Sequence, residues 1–421
     1  MKRTVLFDAT RLLSRADRSA PTGIDRVCLA YAERLLDRRD LAMLPVVARR
    51  DKLSAIDARW FAGMVSGLRL KWSGEGIDDD IEAQLQAALS ATRRGRSVRS
   101  DPGGVDPART RRGLGQLIRL RALPELRRGM IYINVGHTGL DRPGILQSLA
   151  NRGVVRLVMV HDLIPISHPE YCRPGEAARH RARMRSVLRH ASHVVVNSAA
   201  TGDALVAFAG HEALNVPPVQ VSHLGLEPLF LEPPAPGPQD LETDVHRQVG
   251  PGYFVHVGTL EARKNLAFLL TVWRRLEEQM GPATPHLVLV GRHGWENEAV
   301  VDHLERSPRL QGLAHQVAEL SDAALARLLR GARGLAAPSS AEGFDLPVAE
   351  ALALGTPVLA SDIDVHRELA GQAQLIDPLD GPSWLEAIRA ATVCRPVPAP
   401  FVAPTWDRHF EPVWRHVGLD A

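Results

Sequence analysis

The chain has 421 residues, 45 % of them apolar and 24 % charged, the ordinary mix of a globular protein. That length predicts two or three domains with a core large enough to need no staples, and it excludes a wholly disordered or fibrous protein. Lys+Arg number 51 and Asp+Glu 48, a net +3, too small an excess for a chain-wide nucleic-acid footprint. Cys28, Cys172 and Cys394 lie far apart and no zinc spacing appears, which fits a reducing compartment. Asp8 and Arg11 interrupt the apolar start, so no signal peptide is expected. No window of about 18 apolar residues is present. The expected location is cytoplasmic, with contact at the inner face of the plasma membrane allowed.

Short apolar runs alternate with longer amphipathic ones, the signature of parallel α/β units. Thr4–Phe7 reads as a strand, followed by a polar loop ending Pro21-Thr22-Gly23-Ile24. Val27, Leu29, Ala30 and Leu35 then fall at helical spacing. Further strands are predicted at Met130–Asn134, Val154–Val160, His193–Val196 and Val219–Ser222, with helices over 175–190 and 199–209. Residues 231–240 hold four prolines, which lack an amide donor and fix φ, so a linker is expected there. The pattern then restarts: strand Tyr253–Val257, helix Leu266–Glu278, strands His286–Val290 and Gly334–Ala337, helix 347–354, strand Pro357–Ala360. The predicted organisation is one α/β domain over 1–228, a Pro-rich linker over 229–250 and a second α/β domain over 251–400.

One stretch fits neither half. Residues 93–128 contain eleven Arg and three acids, a local +8 that leaves the rest of the chain at −5. It is expected as an insertion on the first domain. Its later part sets Leu114, Leu117, Ile118 and Leu120 among Arg109, Arg111, Arg112, Arg119 and Arg121, a basic amphipathic helix suited to anionic lipid. A solvated insertion is the plain alternative. No aromatic residue interleaves the arginines, which disfavours RNA.

The segment Ala337-Pro-Ser-Ser-Ala-Glu342-Gly343-Phe344-Asp345-Leu-Pro347-Val-Ala-Glu350 reads as a strand end, a loop and a helix start. Ligands in open α/β sheets sit at the carboxyl ends of strands, and a helix start offers free amides suited to phosphate. Glu342 precedes that helix and Glu350 lies about one turn inside it, placing two carboxylates at different depths. Val255-His-Val-Gly258-Thr259-Leu-Glu261-Ala-Arg263-Lys264-Asn265 repeats the design. Arg263 and Lys264 stand at a helix start, where the dipole disfavours cations, so an anion is the expected reason for them. Lysine is otherwise found only at 2, 52 and 71.

These motifs, with Val288-Leu-Val-Gly291 and Ala349-Glu350-Ala351…Gly355-Thr356-Pro357, resemble the retaining, nucleotide-sugar-dependent glycosyltransferases of family 4, which have the GT-B fold of two Rossmann-like parallel-sheet domains facing across a cleft. The likeness is strongest over about 250–395. It is looser in the first half, through Thr22-Gly23-Ile24, His161-Asp162 and Asn197-Ser198. The resemblance implies transfer of a hexose from a nucleoside diphosphate sugar to a hydroxyl, with retention and without a metal or other cofactor. Arg263 and Lys264 would hold the donor diphosphate, Glu342 would lie by the sugar and Glu350 by the ribose. The amides of Gly343 and Phe344 would face phosphate or sugar, Gly258 and Thr259 would belong to the first phosphate loop, and Gly291 would border the nucleoside. Gly23 would close over the donor, and His161 and Asp162 would line the cleft beside the reacting carbon. The run from Thr405-Trp406-Asp407 (401–421) resembles the helix that crosses back to the first domain.

Two positions depart from the family pattern: Asp345 stands where a second glycine is common, and Thr259 where a cation is common. Mannose from GDP-mannose is the expected donor, and a glycan or polyprenyl-linked acceptor of bacterial surface polysaccharide the expected partner, with no nucleic acid. Competing classes are a membrane-surface or nucleic-acid binder built around the Arg-rich stretch, and a GT-B epimerase. A NAD-dependent dehydrogenase or P-loop NTPase lacks its glycine signature here.

Overall fold

The computed structural model describes residues 2–18, 20–49, 51–73, 79–90, 97–100, 120–232, 252–318 and 320–419. The Pro-rich linker from 233 onward and Arg109, Arg111, Arg112 and Arg119 lie outside these residues.

Eight strands build a first sheet: β1 (Arg3–Asp8), β2 (Leu41–Arg49), β3 (Lys52–Ile56), β5 (Leu120–Arg121), β6 (Ile131–Asn134), β7 (Val155–Val160), β8 (His193–Val196) and β9 (Val219–Val221). Their order is β5-β3-β2-β1-β6-β7-β8-β9. All pairings from β2 to β9 are parallel, and β3 and β5 add antiparallel at one edge. The second sheet contains β4 (Arg99–Ser100), β10 (Tyr253–Val257), β11 (His286–Val290), β12 (Ala314–Val317), β13 (Gly334–Ala337), β14 (Val358–Ser361) and β15 (Gln374–Ile376). Its order is β15-β14-β13-β10-β11-β12-β4, parallel throughout. Helices cover both faces of such sheets, so the central strands are buried on both sides and read as continuous apolar runs. Val5, Leu6 and Phe7 in β1 and Phe254 and Val255 in β10 are fully buried.

Several elements were hidden in the sequence. Pro45 masks β2, and the β2–β3 pairing begins one residue past it, at Val46. β12 reads Ala-His-Gln-Val, and its two polar residues conceal a buried strand. Leu120 and Arg121, expected at the end of a basic helix, form the edge strand β5 instead. There Arg121 pairs with Asp57 at 2.5 Å. Backbone pairing with β3 holds these two residues extended, and a helix would forfeit those bonds. Residues 97–100, expected within the insertion on the first domain, pair with β12 of the second sheet.

The helix Trp406–His416 packs on the first domain. Phe410, Val413, Trp414 and Val417 bury one stripe of it at helical spacing. Tyr31 bonds His409 Nε2 at 2.9 Å and meets the Phe410 ring edge-on at 4.8 Å between centroids. A single hydrophobic cluster runs through both domains, from Val5 and Leu29 to Val255, Phe344 and Leu346.

Candidate active site

The loops after β10, β11 and β13 form one wall of the cleft. Gly258 N–H donates to Val290 O at 2.9 Å, and Gly291 N–H donates to Val317 O at 2.7 Å. A Cβ on Gly291 would stand 1.9 Å from the Gly258 carbonyl oxygen, so only glycine lets the two loops lie back to back. A short 3-10 turn, Ala262–Lys264, then turns into the helix Leu266–Met280 through Asn265 at φ 55°.

That turn delivers its two cations into a buried ion network. Arg263 reaches Glu261 at 2.6 Å and Glu342 at 2.5 Å. Lys264 reaches Glu342 at 2.7 Å and Asp345 at 3.0 Å. Asp345 continues to His366 Nε2 at 3.1 Å, and His366 Nδ1–H donates to Ser361 O at 2.8 Å. Burial opposes charge on each member, and the partners prevail except at Glu261, whose carboxyl burial raises despite Arg263 and Lys264. Glu342 and Asp345 are held below the ordinary carboxylate range despite burial, by Arg263 and Lys264 in one case and by Lys264 and His366 in the other. His366 is raised, because its bond to Asp345 outweighs burial. Arg263 and Lys264 are raised by the same carboxylates. Asp345 therefore does not add a bare negative charge to the cleft. It turns inward, at φ 63°, and is neutralised there.

Glu350 lies deeper in the helix Leu346–Ala353 and is buried. Burial pushes its carboxyl up to about 7, even though Arg26 pulls the other way. Arg26 comes from the helix Gly23–Asp37 of the first domain and forks onto Asp322 of the second at 2.7 and 2.5 Å. Beside it, Gly23 sits against Leu346, which a Cβ there would meet at 3.4 Å. The structure thus brings Gly23, Arg26 and Glu350 to one place across the domain boundary.

The facing wall comes from the first domain. His161 Nε2–H donates to Val135 O at 2.8 Å, which fixes the tautomer and leaves Nδ1 as the lone-pair nitrogen. His161 N–H donates to His137 Nε2 at 3.3 Å, and His180 Nε2–H donates to Asp162 O at 3.1 Å. Burial lowers all three imidazoles, His161 to about 4, so the group is neutral at pH 7. The turn bearing Val135 is itself held by buried Asn134, which accepts from Gly136 N–H and donates to Thr138 O.

The walls touch. A Cβ on Gly343 would stand 2.2 Å from the His161 carbonyl oxygen and 3.1 Å from Asp162 Cβ. Ser198 Oγ–H donates to Gly343 O at 2.8 Å. Phe344 is buried, with its ring 6.0 Å from that of His223. Glu368 accepts from Ala199 N–H and Ala200 N–H at 2.8 and 3.2 Å and binds His223 at 2.7 Å, clamping the second domain to the start of the helix Ala199–His211. At the rim, Trp295 Nε1–H donates to Tyr171 O at 3.2 Å, and Arg173 lies over the Trp295 ring.

Thr259 carries no charge, and basic groups gather elsewhere on this cleft. Arg15 and Arg18 follow β1, and Arg292 follows Gly291. Burial lowers both Arg15 and Arg18; Arg18 and Arg11 then lower Arg15, and Arg292 and Arg11 lower Arg18, while Asp25 opposes the shift in each. Sequence reading missed these arginines, as it missed Arg26, Asp322, His366 and Glu368, because each is defined by a partner far away in the chain. Among the described residues no cluster of His, Cys, Asp and Glu suits a metal ion, and no helix is long and apolar enough to cross a membrane.

Two Rossmann-like domains with a charged cleft between them define a GT-B protein. Crystal structures bear out that fold: Anabaena Alr3699/HepE in complex with UDP-glucose aligns over 98 % of this chain and 95 % of its own, with TM-score 0.58 at 15 % identity. Sucrose-phosphate synthase from Thermosynechococcus elongatus aligns over 99 % and 94 %, with TM-score 0.57 at 15 % identity. Within that class, residues 251–392 match the family "Glycosyl transferases group 1", so this part of the chain is a group 1 glycosyltransferase domain, as its motifs indicated. In sequence the chain is related to bacterial mannosyltransferases. The serotype-specific mannosyltransferase WbdA of Escherichia coli is 28 % identical over 235 residues, 53 % of this chain and 28 % of that protein. O-antigen chain mannosyltransferase B of Escherichia coli is 36 % identical over 130 residues, 31 % of this chain and 34 % of that protein. The matches thus span about a third or less of these curated relatives.

Proposed function

We propose that the protein is a retaining glycosyltransferase that moves a hexose, mannose in the first instance, from a nucleoside diphosphate sugar to a hydroxyl of a glycan or polyprenyl-linked acceptor in surface polysaccharide synthesis. The observation that carries this is the network in which Glu342 shares Arg263 and Lys264 beside Asp345, within contact of the His161–Asp162 loop. The kinship to mannosyltransferases supports the sugar, and GDP-mannose is the donor proposed to supply it.

In the chemistry that fits this cleft, the bond from the anomeric carbon to the diphosphate breaks and a bond to the acceptor oxygen forms on the same face. The acceptor proton passes to the departing phosphate oxygen, so no separate base is required. Arg263 and Lys264 stabilise the departing diphosphate, doing a metal ion's electrostatic work. Without donor they are shared with carboxylates. An arriving diphosphate competes for them and releases Glu342 toward the sugar hydroxyls. Neutral His161 offers a lone pair to a sugar hydroxyl without repelling the positive charge that develops at the anomeric carbon. Glu350, once ionised, accepts from the ribose hydroxyls, and Gly291 borders the nucleoside. The Arg-rich stretch beside Arg121 is the part proposed to meet an anionic membrane surface.

The test is a thermal-shift panel of GDP, UDP and their sugars, since a ligand of the folded state raises Tm by mass action. One nucleotide should shift the wild type, and Arg263→Gln should lose most of that shift. No shift with any nucleoside diphosphate would overturn the reading.

A further inference from the structure

The excursion between β3 and β5 has a place in the fold that neither domain predicts. The chain leaves the first domain after the helix Asp79–Ser90, pairs β4 with β12 in the second sheet, and returns to pair β5 with β3. β4 is fastened along its length. Gln316 N–H donates to Val98 O at 2.9 Å, and Ala318 N–H donates to Ser100 O at 3.1 Å. Val98 N–H donates to His315 Nδ1 at 3.1 Å, and Gly312 N–H donates to Ser97 Oγ at 2.8 Å. Arg99 donates to Leu304 O and stands 3.6 Å from Glu305. The Val98 side chain is buried in the cluster shared by both domains.

This fastening accounts for the odd sequence of β12. His315 and Gln316 are 1 % and 3 % exposed, in a strand that would otherwise be apolar. With Nδ1 accepting from Val98, His315 carries its proton on Nε2 and donates to His286 Nδ1 at 3.1 Å. Burial, reinforced by His286, pushes His315 down to about 3, so it keeps this accepting form at neutral pH. Gln316 spends its side chain on the other neighbour: Nε2–H donates to Gly291 O at 3.0 Å, while Gly291 N–H donates to Val317 O at 2.7 Å. β12 therefore lies between the strap on one side and the Gly291 loop on the other, and bonds both.

We propose that Ser97–Ser100 is a strap through which the first domain positions the Gly291 loop of the second, with Gln316 as the positioning residue that joins them. This rests on the reading of the Gly291 loop as the nucleoside wall. An unstrapped β12 would be a free sheet edge with the Gln316 and Ala318 amides unpaired. Because coupling is reciprocal, a nucleotide held by the Gly291 loop tightens the strap as much as the strap tightens the nucleotide.

Val98→Pro removes the amide that His315 accepts, and Gln316→Ala leaves the strap bonded but releases the Gly291 carbonyl. Amide exchange read by mass spectrometry in full-length protein, with GDP and UDP as probes, tests both. In Val98→Pro, exchange of the peptides holding Ala318 and Gly291 should each quicken at least tenfold, and the nucleotide Kd should rise about tenfold. In Gln316→Ala, Gly291 should quicken and Kd should rise as much, while Ala318 stays protected. Val98→Ile, which keeps the amide, should restore both. Faster exchange at Ala318 with unchanged Gly291 exchange would overturn the proposal and reduce the strap to an edge cover. Should Val98→Pro fail to fold, Gln316→Ala and Ser97→Ala carry the same readout. If the wild type binds neither nucleotide, the donor reading fails, and Gly291 exchange in the variants still decides the strap.

Discussion

On the second domain's wall of the cleft, Arg263, Lys264 and His366 each hold a carboxylate. On the first domain's wall, His137, His161 and His180 bond backbone atoms and one another. Both sets are buried. On one wall burial is overcome by opposite charge, and the groups stay ionised. On the other, Asp162 and the carbonyls that accept from His161 and His180 oppose it too weakly, and the groups stay neutral. Under the proposed function, the difference would let one cleft stabilise an anionic leaving group on one side without placing a cation beside the sugar on the other. It also shows that burial alone does not set ionisation. The partner does.

The sharpest way to break the comparison is to remove the centre of the charged wall. Lys264→Ala takes one of two cationic partners from each of buried Glu342 and Asp345, leaving Arg263 and His366 alone on them, a loss of about 3 kcal/mol, the low end for a broken buried pair. Urea denaturation should show that loss, and transfer should fall to background. A stable, active variant would mean the network is ornamental. Next, His161→Ala should lower kcat about a hundredfold, the low end for a positioned acid–base or polar group. The wild-type pH–rate profile should show no step from His161 between pH 6 and 8, because burial holds it near 4. A step in that window that vanishes in the variant would put a cation on the neutral wall.

Glu350, like Glu261, is an exception on the charged wall, a carboxyl that burial raises. Its carboxyl is raised to about 7, so it is mostly protonated at pH 6 and mostly ionised at pH 8. If the ionised form accepts from ribose, donor KM should fall about tenfold over that range, and Glu350→Gln should flatten the dependence. The same raised value has a stability consequence of the opposite sense. The protonated group favours the fold in acid, and that contribution fades as pH rises from the unfolded value through 7. The smallest effect is expected for Arg26→Lys, which keeps charge but loses the fork on Asp322. Donor KM should rise a few fold with kcat nearly unchanged. A kcat loss without a KM change would place Arg26 in the chemistry rather than in holding the domains together.

Much of this was legible from local pattern. Buried parallel strands announce themselves as short apolar runs, so β1, β6, β7, β8, β10, β11, β13 and β14 were expected near where they stand. Strands with a proline or paired polar residues, β2 and β12, were not, since their partners excuse what their sequence argues against. The motif residues Glu342, Arg263 and Lys264 were visible because they sit at strand-to-helix turns, whose chemistry is local. That Lys264 would spend itself on Glu342 and Asp345 was not visible, because the pairing spans 81 residues.

By itself, then, the order of residues determined two α/β halves, the glycine-bearing turns and which loops carry charge. These follow from periodicity, backbone freedom and neighbours a few positions away. Only the tertiary structure decided which charges cancel, that Asp345 is neutralised, which histidine nitrogen keeps its lone pair, and that residues 97–100 serve the far sheet. Those outcomes depend on contacts between distant segments and on burial, and neither is a property of any short stretch of chain.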